Sequence, residues 1–124
     1  MQWLLDGARV ILGLYFIFSG LNHFLGYKAM TQYTSYKKVP APGLAVVVTG
    51  LMLLFGGITI LLGMYVQWGL AVLALFLVSA ALLMHNFWTV EDPMARTNEM
   101  SNHLKNWALA SALILLLSVD AWNW

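Results

Sequence analysis

VPAPGLAVVVTGLMLLFGGITILLGMYVQWGLAVLALFLVSAALLMHNFWTV, residues 39–90, contains no Asp, Glu, Lys or Arg. As one helix it would be roughly 75 Å long, more than twice the roughly 30 Å hydrocarbon core of a bilayer. The segment therefore has to reverse. The reversal falls at Gly63-Met64-Tyr65-Val66-Gln67-Trp68-Gly69, where two glycines bracket a polar Gln and two aromatics suited to the membrane interface. Two spans follow, about residues 43–64 and 68–88, joined as a tight helical hairpin. Pro40 and Pro42 precede the first of them, and proline is tolerated in an opening helical turn.

Outside this stretch the chain stays apolar. Of 124 residues 61% are hydrophobic and 9% charged, whereas a soluble domain is about a quarter charged. An earlier span is expected over about residues 8–27; Asp6 and Arg9 mix the charge at its start and no A-x-A-like site follows, so it reads as a retained span rather than a removable leader. A fourth is expected over about residues 103–122, with Lys105 snorkelling and Trp122 and Trp124 anchoring its far edge. The expected fold is thus all-α, an integral membrane antiparallel four-helix transmembrane bundle forming one domain over residues 1–124.

Two longer connections remain. Residues 28–41 mix Tyr33 and Tyr36 with Lys28, Lys37 and Lys38, a composition for the headgroup zone. Residues 89–101 hold Glu91, Asp92, Arg96 and Glu99, with Asp92-Pro93 reading as a helix start. Five of the six Lys and Arg residues fall in or beside these connections and only Arg9 opposite, so the positive-inside rule places both connections in the cytoplasm. The net charge of +1 and the lack of a basic patch exclude nucleic-acid binding. With no cysteine, disulfides, thiolate chemistry, Cys-ligated zinc and iron–sulfur clusters are excluded as well.

Helices in lipid gain little from the hydrophobic effect when they join, so small residues and interhelical hydrogen bonds must supply the association. Gly13 and Gly20 on the first span, and Gly43, Gly50 and Gly57 on the second, recur every seven residues and stay within about 20° of one another from one repeat to the next. They are expected to be packing grooves. Ala74, Ser79, Ala80 and Ala81 offer a small face on the third span, and Ala108, Ser111 and Ser118 on the fourth. The tryptophans cluster at span ends as an aromatic belt, and Arg9 and Asp120 are placed to pair if the first and fourth spans are neighbours.

Alternation of helix direction brings every histidine to one membrane edge: His23 ends the first span, His85 the third, and His103 begins the fourth. Asn22, Asn86 and Asn102 adjoin them, with Asn106 a turn beyond. Arg9, Gly13, Gly20 and His23 fall within about 80° on a helical wheel, which turns His23 toward the other helices. Polar groups at that depth are costly unless they face the bundle interior or water. His23, His85, His103, Asn86 and Asn106 are therefore the candidate cofactor-binding residues. Imidazole and amide groups beside an apolar groove suit a quinone, two imidazoles could ligate a tetrapyrrole metal, and three with Glu99 could hold a metal ion. A purely structural use, capping helix ends and bridging helices, accounts for the same residues.

Three segments carry a resemblance: GLYFIFSGLNHF (13–24), residues 39–69, and LLMHNFWTVEDPMARTNEMSNHLKNWALASALILL (82–116). Their most specific pieces are Ser19-Gly20 followed by His23, the Gly56-Gly57 and Leu62-Gly63 pairs, His85 with Phe87-Trp88, and Lys105-Asn106 with Ala108. In these the chain resembles the DoxX family of small membrane proteins and, less closely, a related group of membrane cargo receptors. The resemblance implies a four-helix membrane fold. It also implies a place as the inner-membrane subunit of a quinone-linked redox assembly, because the family takes its name from a subunit of a thiosulfate:quinone oxidoreductase. The alternative is a non-catalytic anchor or scaffold of a larger complex. With so little extramembrane chain, homo-oligomers or other membrane subunits are the expected partners, beside lipid itself.

Overall fold

A computed structural model describes all residues, Met1–Trp124, and contains no strand. There are five α-helices rather than four: α1 Gln2–Leu25, α2 Tyr27–Tyr36, α3 Pro42–Leu62, α4 Val66–Leu83 and α5 Pro93–Leu116. A 3-10 turn, Phe87–Thr89, separates the last two. Three segments, Gln2–Leu25, Pro42–Leu62 and Val66–Thr89, are long and apolar enough to cross a membrane. α5 is as long as α1, but its first half is polar.

The additional helix is α2. The connection expected to lie in the headgroup zone is helical over 10 residues, leaving α1 across Gly26 and reaching α3 through left-handed Lys38 (φ 62°) and Ala41 (φ 48°). Two positive-φ residues without glycine's freedom make that connection sharp. α2 therefore turns back onto α3 instead of running away from it.

At the hairpin, Gly63 ends α3 in the left-handed region (φ 73°) and Tyr65 (φ 56°) begins α4. A side chain on Gly63 would meet both the Trp122 carbonyl and the Arg9 guanidinium, so glycine is required there on two counts. At the other edge α4 stops at Leu83, short of the expected residue 88, because the amides of Met84 and His85 both bond the Ala80 carbonyl and close the helix. α5 starts at Asp92-Pro93 as expected: the Asp92 carboxylate accepts from the Ala95 N–H at 2.9 Å. It begins well before residue 103 and ends at Leu116 rather than residue 122, leaving Leu117–Trp124 non-helical.

The packing follows the glycines. An added Cβ on Gly57 would lie 2.7 Å from the Gly13 carbonyl oxygen, and one on Gly20 2.9 Å from that of Gly50, so α1 and α3 run antiparallel with backbones in contact. Such close approach favours dispersion and Cα–H···O contacts that bulkier residues forbid. Gly56, one residue from Gly57, faces the other way and receives Leu73 of α4. α3 thus has two small faces and sits between α1 and α4. Phe16, Leu53, Ile60, Leu70, Leu73 and Leu113 are fully buried where α1, α3, α4 and α5 meet.

Two expectations about charge and small residues are overturned. Arg9 does not pair with Asp120, which is exposed. Arg9 is 8% exposed and donates from Nε to the Ile60 carbonyl at 2.7 Å, and from its terminal nitrogens to those of Leu61 and Asn123 at 3.3 Å. Its guanidinium lies 3.9 Å from the Trp124 ring centroid and 5.6 Å from that of Trp122. The physical reason is that a cation is stabilised by the unpaired carbonyls of a helix C-terminus, and the early end of α5 frees the tail to fold over it. Two tryptophans assigned to the aromatic belt therefore serve as an arginine clamp. Ala108 and Ser111 of α5 and Ser118 beyond its end are exposed; the inward face of α5 is Asn106, Ala110 and Leu113.

These contacts predict that Gly57→Ala lowers stability in detergent by about 1–3 kcal/mol, the usual cost of overpacking. Gly7→Ala, with nothing within 4 Å of the new methyl group, should be neutral or slightly stabilising. Unfolding in mixed micelles, followed by circular dichroism, checks the pair.

Candidate functional site

A cavity of about 390 Å³ opens where α2 folds over α3 and α4. Its walls are mostly apolar, with Met30, Val46, Phe76 and Leu83 prominent, and its polar lining is His23, Tyr33, Thr34, Thr49, Ser79 and His85. That size falls within the roughly 300–1,000 Å³ of small-molecule sites.

His23 reaches the wall because Gly50 leaves room for it: an added Cβ on Gly50 would be 2.9 Å from the His23 Cβ. Its Nδ1 lies 3.1 Å from both the Val46 carbonyl and the Thr49 hydroxyl. The Thr49 hydroxyl donates to the Ala45 carbonyl at 2.7 Å, so Nδ1 is assigned as the N–H that donates to both. Nε2 is left without a protein partner. The ring stands edge-on to Phe76, centroids 6.0 Å apart.

His85 follows the end of α4 and is oriented from α5. Its Nδ1 donates to Glu99 Oε2 at 3.0 Å, with the two side chains 22% and 18% exposed. The second Glu99 oxygen accepts from the Tyr33 hydroxyl at 3.1 Å, and that hydroxyl also lies 3.3 Å from the Met84 carbonyl. Burial first, then the charge and hydrogen bond of Glu99, push the Tyr33 phenol up to about 12; it stays a donor at any physiological pH. One turn along α2, Lys37 donates to the Asn86 side-chain oxygen at 2.9 Å. α2 is thus joined to the start of α5 and the end of α4 by Tyr33 and Lys37. His85 presents a carboxylate-backed imidazole whose Nε2, like that of His23, has no protein partner.

The remaining residues singled out from sequence lie elsewhere. His103 is at the same edge, but its Nδ1 bonds the Ala81 carbonyl at 2.8 Å and its Nε2 accepts from the Trp107 indole at 3.1 Å. Phe87, Trp88 and Trp107 surround the ring. With both nitrogens engaged it has no free lone pair for a metal. Asn106 is buried and donates to the Leu77 carbonyl at 3.4 Å. These two fasten α5 to α4. No group of three His, Asp or Glu side chains converges, so the trio with Glu99 is not assembled.

Sequence reading missed Tyr33, Lys37 and Thr49, and considered Glu99 only as a metal ligand. Tyr33 and Lys37 are spaced i, i+4, the signal of one helical face, which is visible only once residues 27–36 are read as a helix. Thr49 lies on α3 beside Gly50, opposite His23, a relation that depends on the α1–α3 register.

Antiparallel apolar helices, three of them long enough to cross a membrane, define a multi-pass membrane protein, with a mostly apolar cavity that has two imidazoles in its wall. The sequence model of the DoxX family matches residues 4–86, about two thirds of the chain, and the protein belongs to that family. The match takes in α1 to α4 with His23, His85 and Asn86, and leaves out α5 with Glu99, His103 and Asn106. No curated protein and no solved structure matches the chain.

Alkaline titration tests this site. A phenol with a folded pKa of about 12 against about 10 when unfolded makes the fold lose stability as pH rises from about 10 to about 12, because only the unfolded chain then releases that proton. Tyr33→Phe should abolish that component, and Glu99→Gln should move the phenol back toward its ordinary value, read as tyrosinate absorbance.

Proposed function

We propose that this DoxX family member is the membrane subunit of a quinone-linked redox assembly in a bacterial inner membrane, and that the cavity beneath α2 receives the quinol head. The single observation that supports this is two imidazoles, each anchored through Nδ1 and each with Nε2 unpartnered, at the wall of one apolar cavity. A quinone supplies two-electron, two-proton chemistry when bound. Its flat apolar ring suits walls such as Met30, Val46 and Phe76. Its two oxygens need polar partners near the ring ends, and in the quinol form their hydroxyls can donate to the Nε2 lone pairs of His23 and His85.

The residues divide the work. His85 accepts a proton at Nε2, and Glu99, bonded to Nδ1, stabilises the resulting imidazolium. Tyr33 holds the far oxygen of Glu99 and so fixes the carboxylate. His23 binds the other end of the ring from α1. A partner subunit carries the electrons onward. In this reading α5 with the tail Leu117–Trp124 makes a fourth crossing, since it runs from the His85 edge to the Arg9 clamp. Lys28 of α2 and Lys37 and Lys38 just after it face the cytoplasm.

A non-catalytic anchor or scaffold is the second reading, and one observation favours it. Ala108 and Ser111, on the apolar half of α5, are exposed, and outward-facing small residues let another helix approach closely. Organic extraction of protein purified in mild detergent separates the two. Under the first reading quinone co-purifies, and His85→Ala reduces its retention roughly tenfold, the effect of losing about 1.5 kcal/mol from one charge-assisted hydrogen bond. His103→Ala should keep the quinone while lowering thermal stability, because it strands the Trp107 indole and the Ala81 carbonyl. Protein free of quinone, or equal retention in His85→Ala, would favour the anchor.

A further inference from the structure

The bundle is not closed. α1 packs on α3, α3 on α4 and α4 on α5, yet no Cα atom of α1 comes within 8 Å of one in α5. In the seam between the start of α1 and the tail after α5 lies a second cavity of about 430 Å³, at the membrane edge opposite the histidines. Leu5, Leu12, Leu116 and Val119 make up most of its apolar lining. Its charged lining is a cation and an anion, Arg9 and Asp6, with Gln2 and Asn123 as the neutral polar residues.

Neither group has all of its hydrogen-bonding capacity filled by the protein. A guanidinium has five N–H donors, and Arg9 commits three, to the Ile60, Leu61 and Asn123 carbonyls. Asp6 accepts one hydrogen bond, from the Gln2 amide to Oδ1 at 2.8 Å, and makes no ion pair. Two N–H donors and one carboxylate oxygen therefore remain at a single apolar cavity. An anionic headgroup would satisfy Arg9 and be repelled by Asp6. A headgroup carrying both an anion and a hydrogen-bonding ammonium satisfies both charges, and a lipid acyl chain fits the unfilled seam.

We propose that the α1–α5 seam holds one zwitterionic aminophospholipid, its phosphate on the free N–H groups of Arg9, its ammonium on Asp6, and one acyl chain along Leu5, Leu12 and Leu116. The lipid completes the bundle where backbone packing leaves it open. The site stands apart from the proposed quinol cavity, so either can fail without the other.

The experiment is native mass spectrometry of the full chain released from nanodiscs of equimolar phosphatidylethanolamine and phosphatidylglycerol. One phosphatidylethanolamine should stay bound, about fivefold preferred, equivalent to about 1 kcal/mol. Asp6→Asn, at a partly exposed position whose one hydrogen bond, from the Gln2 amide, an amide oxygen can still accept, should abolish the preference or reverse it toward phosphatidylglycerol while the fold persists by circular dichroism. Arg9→Lys should weaken retention of both lipids. Equal retention of the two lipids by the unmodified protein, a preference unchanged in Asp6→Asn, or a lipid-free dimer whose second copy fills the seam would each overturn the proposal.

Discussion

The contact between α1 and α3 governs the rest of this molecule. In lipid no hydrophobic gain draws two apolar helices together, so their joining rests on how closely backbones approach. Gly13 against Gly57 and Gly20 against Gly50 bring them to the limit of backbone contact, and Gly56 repeats the device toward α4. From that register follow the position of His23 over Val46 and Thr49 at one edge, and of Arg9 over the Ile60 and Leu61 carbonyls at the other. A single helical interface therefore sets both ends of the protein.

The two edges use polar groups differently. At the Arg9 edge a cation is held by backbone carbonyls and indole faces, an arrangement that closes the tail over the hairpin. At the histidine edge the polar groups join three separate elements: Tyr33 and Lys37 from α2, His85 and Asn86 after α4, and Glu99 from α5. Charge-assisted bonds of that kind gain strength from low dielectric and lose it when water enters. They are concentrated beside a mostly apolar cavity. The DoxX match ends at residue 86, so Glu99, on which the His85 geometry depends, comes from outside the matched segment.

Much of the fold was legible because lipid leaves a chain few choices. The charge-free stretch had to cross, reverse and cross again, and the reversal fell where Gly63 and Tyr65 now take left-handed backbone. The seven-residue glycine spacing marked the α1–α3 groove, and Asp92-Pro93 marked the start of α5. The lapses share a cause as well. α2 was hidden because a short amphipathic segment with lysines and tyrosines has the same composition whether it coils or lies irregularly at an interface. Ala108, Ser111 and Ser118 were assigned inward because small size says that a helix can approach, without saying from which side.

What the sequence determined by itself, then, is that this is an all-helical multi-pass membrane protein whose imidazoles gather at one edge: solvent cost alone dictates where apolar runs, glycines and charges go along a helix. What only the tertiary structure decided is which imidazoles share a cavity. His23 and His85 open onto one, while His103 spends both nitrogens on Ala81 and Trp107. The reason is that a ring's chemistry is set by the partner of its other nitrogen, and that partner lies 14 to 26 residues away for His23 and His85. Helical periodicity relates residues along one rod; it carries no information on the rotation and stagger of a neighbouring rod.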